Sequence, residues 1–99
     1  MKFAFLFEWD NPKKEDRLKK LLKHRNEKVE PYWLKMVKEK EVKVETKYWQ
    51  DIDGRFHEVH EFESAEEFAK IWTKEWLEIW GKYVTLMDNY SHKVMRPPT

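Results

Sequence analysis

The sequence predicts an α+β fold with element order β-α-β-β-α-β, and three observations predict it. Phe3, Phe5, Phe7 and Trp9, and later Phe56, Glu58, His60 and Phe62, alternate with the period of two that a strand imposes. Two longer stretches repeat apolar residues at spacings of three and four, the period of a helix. Asp53-Gly54, set between two alternating runs, is a hairpin signal.

Length and composition bound the rest. The 99 residues make one domain, residues 1–99, with room for a single core. Charged residues are 39% of the chain, yet the net charge is only +1, so no global field recruits a partner. A mean hydropathy of -0.98 suits a disordered chain. Six Trp and 16% aromatic residues contradict that, because large aromatics bring the burial that offsets ordering entropy. The absence of cysteine excludes disulfides, thiolate metal sites and a Cys nucleophile. No apolar run approaches the roughly 18 residues of a membrane span, and the opening MKFAFLFEWD turns acidic too soon for a signal peptide. The expectation is a cytoplasmic protein, and a composition rich in Glu and Lys with two Gly also suits a thermophile.

The elements follow in order. Residues 2 to 8 form a strand with one strongly apolar face. Asp10-Asn11-Pro12 stops it and starts a helix, with Pro in the first turn where its missing N–H is harmless. Leu18, Leu21, Leu22, Arg25, Val29, Trp33, Met36 and Val37 then recur at helical spacing. Pro31 falls inside this series and predicts two pieces, about 13 to 29 and 31 to 39. Val42, Val44, Thr46 and Tyr48 alternate next, with Lys43, Glu45, Lys47 and Trp49 opposite. A two-residue turn would pair Gln50 with His57, whereas an odd-length loop pairs Gln50 with Phe56 and Val44 with Phe62. The odd loop unites the apolar faces and is preferred, since a one-residue slip flips every side chain. Ser64 and Glu67 make a capping box, and Phe68, Ile71, Trp72, Trp76, Ile79, Trp80 and Tyr83 mark one helix to about Met87, weak at Gly81. Asp88-Asn89 reads as a turn, and Tyr90, His92 and Val94 lie on a last strand that Pro97-Pro98 ends.

This order is the ferredoxin-like split βαβ arrangement, an antiparallel sheet with both helices on one face. The sheet's other face would carry Ala4, Leu6, Trp49 and Val59, too apolar to leave in water. A second copy of the chain is expected to cover it.

The hairpin YWQDIDGRFHEVHEFESAEEFAKIW, the Trp-rich second helix and the strand before MRPPT resemble the dimeric α/β-barrel superfamily. The likeness spans nearly the whole chain and is nearest to the small prokaryotic members of its antibiotic-biosynthesis-monooxygenase-like group. It implies a homodimer whose two sheets close a barrel, with a ligand cleft between each sheet and its helices. It implies no single chemistry, because monooxygenases, isomerases, haem-degrading enzymes and dehydratases share the architecture. The Asn, Trp and His used by the haem-degrading relatives do not align onto Asn11, Trp49 or either of His57 and His60, which argues against haem.

His57 and His60 in H-E-V-H invite a metal reading, but three apart on a strand they face opposite ways, so no metal site is expected. Glu58 and His60 share the core-facing side, where a carboxylate and an imidazole can exchange protons with a substrate. The competing reading places both at strand ends, satisfied by water. Trp72 and Trp76 belong to a helical stripe that is either plain core or, with Tyr48, Trp49, Tyr32 and His92, the wall of a pocket for a planar ligand. Residues 12 to 40 hold 11 Lys+Arg against five Asp+Glu, a balance of +6. Those charges alternate in sign with no aromatic RNA-binding strand motif, so a solvated helix face is expected rather than a nucleic-acid surface. Two hypotheses result. One is a cofactor-independent monooxygenase- or isomerase-like enzyme for an apolar or aromatic small molecule, with His60 and Glu58 moving protons. The other is a non-catalytic ligand-binding or dimerisation module.

Overall fold

Strand β1 (Phe3–Asp10) is the inner spine of a four-stranded antiparallel sheet of order β2-β3-β1-β4, formed with β2 (Val44–Gln50), β3 (Phe56–Phe62) and β4 (Asp88–Met95). The computed structural model describes residues 1–98. Helices α1 (Glu15–His24) and α2 (Glu30–Glu39) precede β2, and α3 (Ala65–Ile71) and α4 (Lys74–Thr85) precede β4. The fold is α+β and ferredoxin-like, as the sequence predicts.

The preferred register is the one observed. Gln50 pairs with Phe56 and Val44 with Phe62, across a five-residue loop from Asp51 to Arg55. Asp51 builds that loop: its Oδ1 accepts from the amides of Asp53 at 2.9 Å and Arg55 at 3.1 Å. Gly54 takes φ 92, which only glycine adopts without strain. With this register Tyr48, Glu58, Phe7 and His92 form one row on the helix side, and Thr46, His60, Phe5 and Val94 the next.

Three expectations are corrected. Pro31 does not divide the first helix; α1 runs into α2 through a π-helical turn, Arg25–Val29. A proline ring clashes with the carbonyl four residues back and removes an amide. The wider turn, in which the Glu30 amide reaches back to the Arg25 carbonyl, takes up both effects without ending the helix. The second long helix breaks at Trp72-Thr73, not at Gly81, which sits inside α4. Thr73 is an N-cap there, its Oγ1 accepting from the Trp76 amide at 3.1 Å. Finally, β1 runs to Asp10 and β4 starts at Asp88, so Asp88-Asn89 is strand rather than turn. Asn89 has φ 52 beside a register shift in β1, and its Nδ2 donates to Asp10 Oδ2 at 2.8 Å.

The core lies between the sheet and the helices. Phe7, Trp9, Leu21, Phe62, Ile71 and Trp76 are its fully buried large side chains. On the far side of the sheet Ala4, Leu6 and Val59 are only partly buried, and Trp49 is 55% exposed there.

Candidate functional site

The alternation of β3 sends Glu58 and His60 to the helix side, at the centre of the strand rather than its ends. Residues two apart on one strand face are neighbours, and His60 Nε2 lies 2.5 Å from Glu58 Oε2. His60 is 4% exposed, capped by the Trp33 indole at 4.4 Å between ring centroids and flanked edge-on by Phe7 at 5.3 Å. Its Nδ1 has no partner among the described residues. Glu58 is only partly buried.

Both residues open onto a cavity of about 480 Å³ between the sheet and the π-helical turn, α2 and α4. Phe7, Thr46, Tyr48, Glu58 and His60 form its floor, and Val29, Trp33, Leu34, Trp76 and Trp80 its walls. One end carries Arg25 and Tyr83. Arg25 Nε donates to the Tyr83 hydroxyl at 2.7 Å, and the guanidinium lies 5.9 Å from the Trp9 ring centroid and 5.7 Å from that of Tyr83. Burial pushes the Tyr83 phenol up to about 12, with Arg25 opposing the rise, so its hydroxyl keeps its proton. Burial also raises the Tyr48 phenol, again against Arg25. The cavity therefore combines an aromatic lining, an imidazole–carboxylate pair, neutral phenols and one guanidinium.

The structure brings together four of the residues expected at a site: His60, Glu58, Tyr48 and Trp76. It places the others outside this cavity. Trp49 follows Tyr48 on a strand and so emerges on the opposite face, paired with His57. Trp72 packs on Phe5 and Phe68, each 5.3 Å away between centroids. Tyr32 lies behind the wall, stacked on Trp76 at 5.5 Å with its hydroxyl 2.5 Å from Thr73 Oγ1. His92 is on β4, exposed, 5.4 Å from Phe5 between ring centroids.

Sequence reasoning missed Arg25 and Trp33. Their signal was present, since both fall in the apolar series of the first helix, and a cation at such a position needs a reason to point inward. His57 and His60 stand on opposite faces of the sheet. His57 lies 3.1 Å from Glu8 and 2.8 Å from Asp51. Among the described residues no three His, Asp or Glu side chains are grouped to hold a metal ion. No helix of the described residues is long and apolar enough to cross a membrane.

The sequence matches no protein-family model and no curated protein. Solved structures do share its fold. Rv0793 from Mycobacterium tuberculosis is similar with a TM-score of 0.65 and 12% identity, over 100% of this chain and 97% of that one. SnoaB of Streptomyces nogalater, a cofactor-independent oxygenase solved as a point mutant, matches with a TM-score of 0.65 at 7% identity, over 99% and 94%. A dimeric ferredoxin-like protein from an uncultured marine organism matches at 0.62 and 18%, over 99% and 90%. At such identities the likeness shows the fold, which is that of the antibiotic-biosynthesis-monooxygenase-like ferredoxin-fold proteins.

Proposed function

We propose that the protein is a small cofactor-independent enzyme that moves protons on an apolar or aromatic small molecule bound between its sheet and its helices. One observation carries this reading: a hydrogen-bonded His60–Glu58 pair opens onto an aromatic-walled cavity large enough for a bicyclic or tricyclic compound. A phenolic O–H or an acidic C–H held against His60 gives its proton to the imidazole, and the Glu58 carboxylate stabilises the imidazolium. Returning the proton to another carbon isomerises the substrate. If dioxygen instead takes the electrons of the carbanion, a hydroperoxide forms at that carbon, and loss of its second hydrogen with cleavage of the O–O bond leaves a carbonyl and releases water. The oxygenase among the structural neighbours supports the second outcome by analogy of fold alone.

The test is a panel of polycyclic phenols and β-diketones, followed by oxygen uptake and by deuterium exchange into the substrate. Turnover in the wild type that disappears in Glu58→Gln supports the enzyme. Binding without exchange or oxygen uptake supports a non-catalytic ligand-binding module instead, a reading favoured by the nearly complete burial of His60 under Trp33.

The working unit in this reading is a homodimer. Ala4, Leu6 and Val59, with exposed Trp49 and 39%-exposed Met95, make an apolar strip across the outer sheet face that a second copy would cover. Cytoplasmic residence, expected from the composition, belongs to the same reading.

A further inference from the structure

We infer that the cavity selects an anionic aromatic ligand, a carboxylate or an ionised enol or phenol, with Arg25 as the residue that binds its charge. The inference rests on the cavity being a ligand site, as proposed above, and names the chemistry that the site would accept.

Arg25 opens the π-helical turn on the face that lines the cavity. Its Nε is committed to the Tyr83 hydroxyl, and the guanidinium carbon lies over the rings of Trp9 and Tyr83, 5.9 and 5.7 Å from their centroids. That anchoring orients the group and lowers the entropy lost on binding. Its two terminal nitrogens have no hydrogen-bond or ion-pair partner among the described residues. A guanidinium so placed presents the planar fork that matches a carboxylate.

The groups that face Arg25 do not satisfy it. Tyr83 and Tyr48 are phenols whose ionisation burial disfavours. Glu58 forms no ion pair with Arg25, and its Oε2 is held by His60. Glu30 lines the cavity from α2 but is exposed to solvent, where its charge is screened. Because Tyr83 accepts from Arg25, its own hydroxyl hydrogen remains available as a second donor at the same end. Trp33, Trp76 and Trp80 supply the surface for the ring system.

The experiment compares 2-naphthoate with 2-naphthamide, which are matched in ring and shape, by calorimetry and by quenching of Trp fluorescence. The wild type is expected to bind the carboxylate at least about tenfold more tightly than the amide, with the preference shrinking as salt rises. Arg25→Gln should remove the preference by weakening the carboxylate alone, and Arg25→Lys should retain part of it. Equal binding of both probes by the wild type overturns the anion assignment while leaving the cavity as a ligand site. A preference that survives in Arg25→Gln also overturns it. Binding of neither probe overturns this inference and counts against the cavity reading itself. The wild-type comparison stands even if a variant fails to fold.

Discussion

Glu58 Oε2 and His60 Nε2 lie 2.5 Å apart on one face of β3, so the strand's own pleat delivers the pair without help from any other element. Glu58→Gln keeps the shape and a hydrogen-bonding group but removes the charge that stabilises an imidazolium. The expected result is a fall in turnover of about 10²-fold or more, with a melting temperature within a few degrees of wild type. His60→Ala should lose turnover too, but it leaves a gap under Trp33 and is expected to lower stability by about 1–3 kcal/mol in urea titrations. Unchanged turnover in both variants would remove these residues from the chemistry.

Tyr83 gives the fold an alkaline limit. Its folded pKa stands near 12 against an ordinary 10.0 because burial disfavours the phenolate. The contribution of the neutral phenol is complete below pH 10 and is lost as pH rises from there towards 12, where the unfolded chain ionises first. Tyr83→Phe should therefore flatten the decline in stability between pH 9.5 and 11.5, by on the order of 2 kcal/mol across the window. Parallel pH profiles for wild type and variant would contradict the burial account.

Gly81 and Thr73 should respond in opposite directions. A Cβ at Gly81 meets nothing within 4 Å, and the residue sits in the interior of α4. Gly81→Ala is expected to stabilise the protein by about 0.5–1 kcal/mol, which raises the melting temperature by several degrees. Thr73→Ala removes the cap of α4 and the partner of the Tyr32 hydroxyl. A loss of about 1–2 kcal/mol is expected, read by the same melts.

The outer sheet face gives a test of assembly. Leu6→Glu sets a carboxylate among Val59, Lys47 and Lys93 in the middle of the face proposed to meet a second copy. Native mass spectrometry should show a wild-type dimer and a mutant monomer. A monomeric wild type would dismiss the dimer.

The strands were readable to within two residues because a period of two is strictly local, and the hairpin register followed from matching Val44 with Phe62. The helical boundaries were less so. Pro31 and Gly81 are breakers by propensity alone, yet both lie inside helices, Pro31 because the π-turn before it takes up its ring and missing amide, while Thr73 ended one through a cap that a run of apolar residues conceals.

By itself, the sequence determined which residues share a face, because that depends only on backbone period: Phe5, Phe7 and Trp9 inward, Glu58 beside His60, His57 turned away. The tertiary structure decided what those faces meet. The π-turn before Pro31 sets Arg25 against Tyr83, 58 residues on, and α2 lays Trp33 over His60. Such pairings depend on how helices sit on a sheet, and local periodicity carries no information about that. The backbone period, by contrast, already separates Tyr48, which lines the cavity, from Trp49, which the next peptide turns to the far side of the sheet.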